Sequence, residues 1–340
     1  MDLSTFPRRR YTDGPTRLQH LPRLSAELGG PDIWLKRDDE LGLTLGGNKT
    51  RKLEFLVAEA LDQGADTLIT AGGVQSNHCR LTLAAARAEG LQCHLVLEED
   101  LGPDGHPVPG GTGANPPQHT GNHLLFDLLG ADSVEALPHG ADLPARMQEL
   151  SEELTAQGRT PVVIPIGGSN ATGALGYVDA ADELLDQFAE QSLDVTAIVV
   201  PSGSTGMQAG LITGLHAAGS STRVLGINVS RSRAEQEPKI RGLVDALATR
   251  LDLPPVPAAA TVGLGDYVGP GYALPTEGMV EALRLLGRTE GVVLDPVYTG
   301  KAAAGLIDLV RQGEFSADDT VVLMHSGGVP GLFARTDAFT

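Results

Sequence analysis

The chain has 340 residues, 41% of them hydrophobic, and a formal net charge of −18 at pH 7. That is enough apolar material for one large core or two moderate ones. The acidity argues against a nucleic-acid binder, which needs clustered lysine and arginine against phosphate.

No apolar run approaches the roughly 20 residues of a membrane-spanning helix. The stretch "MDLSTFPRRRYTDG" lacks a signal-peptide apolar region, so neither a membrane nor export is expected. Cys79 and Cys93, the two cysteines, offer neither a disulfide framework nor metal-ligand spacing. A reduced cytoplasm is the expected setting, with no metal.

In chain order, "DTLIT" (66–70) predicts a strand, followed by a helix from about Asn77 to Glu89 and the β-rich "CHLVLE" (93–98). The Gly- and Pro-rich segment 102–122 reads as a surface loop or flap. "NHLLFDLLG" (122–130), "DSVEAL" (132–137) and a helical stretch over 141–158 follow. The alternation resumes with "PVVIPIG" (161–167), a helix over about 172–190, "VTAIVVPSGS" (195–204), a helix to about 217 and "TRVLGINVS" (222–230). The last third predicts helix, short strand, helix and strand, with Gly-Gly after the final strand. Strands and helices taking turns are the pattern of an α/β protein with mainly parallel sheets, and two alternating blocks predict two sheets.

Five lysines (Lys36, Lys49, Lys52, Lys239, Lys301) stand against twenty arginines. Lys49 follows Gly46-Gly47-Asn48 where an amphipathic helix begins. It is either a solvated helix-start residue or a nucleophilic amine, since lysine, unlike arginine, can lose its proton when buried and form a Schiff base.

In "VVPSGSTGMQAG" (199–210), a strand of β-branched residues runs into Ser202-Gly203-Ser204-Thr205-Gly206 and then a helix. Such a turn is either an ordinary strand-to-helix connection or a phosphate cup built from backbone amides and the helix N-terminus. It is not G-x-G-x-x-G, and "LGGNKT" departs from Walker A at Asn48, so a nucleotide site is poorly supported. "AGGVQSNHCRLT" (71–82) opens a helix with Ser76, Asn77 and His78, either as plain N-caps or as a carboxylate site. "LDPVYTGKAAAGLIDLV" (294–310) and "MHSGGVPGL" (324–332) set Tyr298 at a helix start, Thr299 as a cap or ligand, and Ser326 where ligands meet the carboxyl ends of parallel strands. An amine able to form a Schiff base, a phosphate cup, a carboxylate site and tyrosines able to carry protons are together satisfied by pyridoxal 5′-phosphate.

The ordered motifs "KRDD", "GGNKTRKLEFL", "QSNHCR", "GGSNATGALGY", "PSGSTG", "LPTEGMVEA" and "DPVYTGK" extend the argument over nearly the whole chain. In them the chain resembles the D-cysteine desulfhydrase and ACC (1-aminocyclopropane-1-carboxylate) deaminase family of pyridoxal-phosphate enzymes, which also contains L-cysteate sulfo-lyase. The resemblance implies the two-domain tryptophan synthase β-like fold (fold type II), each domain with a mainly parallel sheet flanked by helices. Residues 1–47 plus 165–340 would form the larger, cofactor-binding domain and residues 48–164 the smaller. It implies a homodimer acting on a small amino acid.

Carried over residue by residue, the resemblance makes Lys49 the Schiff-base lysine and Asn77 the partner of the cofactor's 3′-oxygen. Asn48, Ser76, Asn77, His78 and Tyr298 would meet the substrate, and Ser76, Tyr272 and Tyr298 would join Lys49 in catalysis. Ser202, Gly203, Ser204, Thr205 and Gly206 would hold the phosphate. The ACC deaminases of the family carry an acidic residue and a leucine where this chain has Thr299 and Ser326. A hydroxyl beside the pyridine nitrogen suits β-elimination of a good leaving group. Elimination of thiol is therefore ranked first, ahead of sulfite release from cysteate and ACC deamination. A nucleotide-binding protein and a non-catalytic cofactor-binding protein are the readings from other classes.

Overall fold

The structure, a computed structural model, describes residues 1–99 and 119–339. Most of the Gly- and Pro-rich segment expected as a surface loop lies outside the described residues.

Among the described residues ten strands fall into two sheets: β1 (Leu18–His20), β2 (Asp32–Lys36), β3 (Thr67–Gly73), β4 (Gln92–Glu98), β5 (Ser133–Leu137), β6 (Pro161–Val163), β7 (Val195–Ser202), β8 (Arg223–Asn228), β9 (Val262–Leu264) and β10 (Thr320–Met324). The larger runs β1-β2-β10-β7-β8-β9, parallel throughout except for β1 against β2. The smaller runs β5-β4-β3-β6 and is wholly parallel. Its strands all come from residues 67–163, whereas the larger sheet draws on both ends of the chain.

The helices are α1 (Pro22–Leu28), α2 (Lys49–Asp62), α3 (Asn77–Glu89), α4 (Gly121–Leu128), α5 (Leu143–Ala156), α6 (Ala171–Glu190), α7 (Gly206–Ala217), α8 (Arg233–Arg250), α9 (Glu277–Glu290), α10 (Thr299–Arg311) and α11 (Val329–Leu332). Among the described residues none is long and apolar enough to cross a membrane.

Period-2 alternation divides the central strands of the larger sheet between two cores. Ile198 and Val200 of β7, with Val322 and Met324 of β10, pack against α6, α7 and α8. Ala197 and Val199, with Val321 and Leu323, pack against α1, α9 and α10. Both faces are covered, so these strands are apolar at nearly every position, as buried parallel strands must be. The smaller sheet is built alike: Leu68, Cys93, Leu95 and Leu97 face α2 and α3, while Ile69, Ala71 and Val96 face α5.

A buried polar cluster joins α2 to the larger sheet. Arg51 donates from Nε to Asp38 Oδ2 at 3.0 Å and from Nη1 to Glu183 Oε2 at 2.8 Å. Tyr177 donates to Asp38 Oδ2 at 2.6 Å, and Lys36, beneath, pairs with Glu183. Two carboxylates thus answer two cations in a place where one unpaired charge would be costly.

The expected short strand between the last two helices is absent. The backbone there is engaged otherwise: Asp295 accepts from the amides of Val297, Tyr298 and Thr299, and His325 Nε2 lies 3.0 Å from the Val293 carbonyl. "PVVIPIG" is strand only to Val163 before a helical turn at Ile166–Gly168. Strands β1, β2 and β9 and helices α1, α8 and α11 have no counterpart in the sequence reading.

Candidate active site

The carboxyl ends of β3, β7 and β10 converge with the start of α2 on a cavity of about 290 Å³. This is where parallel sheets place ligands, because helix N-termini and free turns gather there. Of the residues singled out from the sequence, Asn48, Lys49, Ser76, Asn77, His78, Ser202, Gly203, Ser204, Thr205, Tyr272, Tyr298 and Ser326 line it. Gly206 follows immediately as the first residue of α7.

Thr299 does not line it. Its buried hydroxyl lies 2.7 Å from Asp295 Oδ1 and accepts from the Asp295 amide at 2.8 Å, which makes it part of the helix start. Of the two hydroxyls expected near the ring nitrogen, only that of Ser326 belongs to a residue at the cavity.

Lys49 is the first residue of α2 and half-buried at the cavity. Desolvation lowers its ammonium from 10.5 to about 8, so a neutral amine is available near neutral pH. One helical turn on, at the i+3 spacing that shares a face, stands Lys52, which is buried. Its Nζ donates to the Gly167 carbonyl at 3.0 Å and to Ser169 Oγ at 2.8 Å. Among the described residues no carboxylate pairs with it. Burial, then the neighbouring Lys49, pushes its ammonium well below the ordinary range.

Lys52 stands beside the Ser202–Gly206 turn and reaches it through Ser169. A Cβ at Gly206 would sit 2.7 Å from both Lys52 Nζ and Ser169 Oγ, so a side chain there would displace the lysine from its place beside the turn. Ser169 Oγ bridges to Ser204 Oγ at 2.8 Å. Thr205, at φ 72, holds a left-handed conformation unusual for a threonine and leads into the N-terminus of α7. Ser202 is locked by Gln208 and Gln236, at 2.7 and 2.9 Å. Sequence reasoning missed Lys52 and Ser169, although the i+3 spacing from Lys49 was visible in "NKTRK".

At the start of α3, Ser76 caps the helix by accepting from the Cys79 amide at 3.1 Å. The amides of Asn77 and His78 precede the helix's own hydrogen bonding. Asn77 Oδ1 accepts from Asn122 at 2.8 Å, and Asn122 is fixed in turn by Arg80, also at 2.8 Å. That leaves the Asn77 Nδ2 group as the donor for a ligand. Thr70 gives its hydroxyl proton to the Ile164 carbonyl at 2.9 Å, so His78 Nε2, 2.8 Å from Thr70 Oγ1, donates. Burial, with Lys49 and Lys52 nearby, keeps His78 neutral. Opposite, the hydroxyls of Tyr272 and Tyr298 meet at 2.5 Å with their rings at 67°.

In a chain of net charge −18 this cavity is lined by Lys49, Lys52 and Arg231, with Glu98 the one acid among its described lining residues. The donor set fits pyridoxal phosphate: a buried lysine amine with no carboxylate beside an amide-lined turn, where a dianion would favour its protonated form, and a desolvated lysine for the aldehyde.

Comparison with known proteins agrees. The family model "Pyridoxal-phosphate dependent enzyme" matches residues 10–327. A D-cysteine desulfhydrase of Salmonella typhimurium is 47% identical over 333 residues, 98% of this chain and 97% of that protein. Another, from Klebsiella pneumoniae, is 46% identical over 336 residues, with the same coverage. The crystal structure of an ACC deaminase homologue superposes with a TM-score of 0.86 at 38% identity, covering 98% of this chain and 96% of that one. O-ureido-L-serine synthase, 17% identical with a TM-score of 0.64 over 94% of this chain and 90% of its own, shares the fold. The chain belongs to the pyridoxal-phosphate dependent enzymes of the tryptophan synthase β-like fold.

Proposed function

We propose that the chain is a D-cysteine desulfhydrase, converting D-cysteine and water to pyruvate, hydrogen sulfide and ammonia. The observation that carries the substrate is the 47% identity with a D-cysteine desulfhydrase over 98% of the chain. When bound, pyridoxal phosphate supplies the electron sink that makes the substrate's α-proton removable.

The chain's own residues do the rest. Lys49 Nζ, whose proton burial makes easier to lose, serves as the nucleophile and can hold a proton. Lys52 Nζ and the turn from Ser202 to Gly206 bind the phosphate, Asn77 Nδ2 meets the 3′-oxygen, and Ser326 faces the ring nitrogen. Asn48, Ser76 and the first-turn amides of Asn77 and His78 receive the substrate carboxylate. Because His78 is neutral, carboxylate binding relies on dipoles and hydrogen bonds. Tyr272 and Tyr298 orient the β-substituent.

The larger cofactor-binding domain is assigned to residues 1–47 and 165–340 and the smaller to 48–164, a division supported by the two sheets. A homodimer and a cytoplasmic setting complete the reading. The family resemblance supports the first, and two free, buried cysteines agree with the second.

The test is pyruvate and sulfide release by the cofactor-loaded protein given D-cysteine, L-cysteine, L-cysteate, D-serine and ACC in parallel. Sulfide from D-cysteine, lost in Lys49→Ala, is expected. Turnover of cysteate or ACC alone would leave the site standing and overturn the substrate.

A further inference from the structure

Lys301 is fully buried near the start of α10, and among the described residues its ammonium makes no hydrogen bond to a carboxylate, although the charge of Asp295 is felt there. Its Nζ donates instead to the carbonyls of Val268 at 2.7 Å and Gly271 at 2.9 Å. A buried cation whose hydrogen bonds go to two loop carbonyls instead of a carboxylate is an unfavourable arrangement unless the geometry it enforces matters.

What it holds is the segment between β9 and α9, which forms neither helix nor strand and carries Tyr272. Tyr298, at the N-cap of α10, Lys301 and Asp308 recur at spacings that place them along one side of α10. Each reaches the same segment: Tyr298 at Tyr272, Lys301 at Val268 and Gly271, and Asp308 at the Tyr267 hydroxyl, 2.7 Å away. Arg335 adds a donor to the Ala273 carbonyl at 3.3 Å. Ala273 itself sits at φ 61, a left-handed conformation that an alanine keeps only when its surroundings impose it. One helix therefore presents one tyrosine and clamps the loop that presents the other.

We propose that Lys301 is a positioning residue that fixes Tyr272 against Tyr298, so that the pair meets the substrate in a single geometry. This rests on reading the tyrosine pair as part of the reaction site. Lys301 is not among the residues that line the cavity and acts only through the loop.

The test is a double-mutant cycle on the cofactor-loaded protein with Lys301→Met, Tyr272→Phe and both together, alongside Lys301→Arg. Lys301→Met is expected to keep the bound-cofactor absorbance and lower kcat by about a hundredfold, the scale of a misplaced catalytic group. The double variant is expected to be no slower than the slower single one. Lys301→Arg, which can still donate to two carbonyls, should recover part of the rate. Effects that multiply to within about twofold, the signature of independent sites, would overturn the proposal. Should Lys301→Met fail to fold, Lys301→Gln, which keeps one donor group, runs through the same cycle.

Hydrogen exchange reads the clamp without turnover. Faster exchange across residues 266–274 with α3 unchanged supports it, and unchanged exchange there overturns it. A wild type that releases no sulfide from D-cysteine would sink the substrate reading while leaving this arm to decide on Lys301.

Discussion

Asn48 and Ser326 are joined main chain to main chain, the Asn48 amide donating to the Ser326 carbonyl over 3.0 Å. The loop that delivers Lys49 is thereby fastened to the turn after the last strand of the larger sheet, 278 positions away in the sequence. Contact is so close that a Cβ at Gly327, where φ is 83, would fall 2.7 Å from Gly47 Cα.

Gly327→Ala should therefore do two things. The left-handed backbone costs an alanine about 1–2 kcal/mol, and the added methyl must push the Lys49 loop aside. Urea unfolding is expected to show the loss of stability, and cofactor release is expected to speed up. A variant with unchanged release would show that the seam does not set the position of Lys49.

Capture of the cofactor should follow the protonation of Lys49. With its pKa lowered to about 8, the neutral amine is half-populated there instead of at 10.5. The rate at which cofactor-free protein takes up pyridoxal phosphate, read by stopped-flow absorbance, should climb through about pH 8 and level off by about pH 9. A midpoint near 10.5 would contradict the desolvated site. The same shift works on stability in a defined sense. Between about 8 and 10.5 the unfolded chain holds a proton that the folded one has released, so this group's contribution to stability rises with pH across that window.

Lys52→Met should weaken pyridoxal phosphate far more than pyridoxal, which lacks the phosphate. A hydrogen bond to a charged group contributes roughly 1.5–3 kcal/mol, or about ten- to a hundredfold in affinity. Equal loss for both ligands, measured by titrating cofactor-free protein, would place Lys52 away from the phosphate.

Asp38→Ala should destabilise the fold by about 3–5 kcal/mol, because it leaves Glu183 as the one carboxylate answering both Arg51 and Lys36 in the interior. Burial alone would raise the Asp38 carboxyl, but the charge and hydrogen bonds of Arg51, with Lys36, hold it below its ordinary 3.8. Its contribution is therefore complete above the usual carboxylate range and is lost as the pH falls below it. Denaturant midpoints measured across that range should show a shallower acid slope in the variant.

Much of this was legible from local pattern. Gly-Gly-Asn before an amphipathic run marks the start of α2, and the β-branched run ending at Ser202 marks both β7 and the turn beyond it. What escaped depends on partners distant in sequence. Strands β1 and β9, three residues each, are too short to show a period, and exist because β2 and β8 offer edges. The apolar run near Val293 reads as a strand, yet Asp295 and His325 claim its backbone. Thr299 reads equally as a cap and as a ligand, and only the position of Asp295 separates the two. Tyr272 lies in a segment without periodicity whose conformation is set by side chains of α10.

The lysines have a practical consequence. Lys36, Lys52 and Lys301 are buried, Lys49 faces the cavity, and Lys239, on α8, is the single exposed lysine of the five. Arginine supplies the remaining positive charge, and its guanidinium does not react with mild acylating reagents. With cofactor shielding Lys49, an amine-directed dye would find one lysine side chain to modify, on a helix outside the cavity lining, so that beside the α-amine of Met1 the working enzyme would carry a single labelled position.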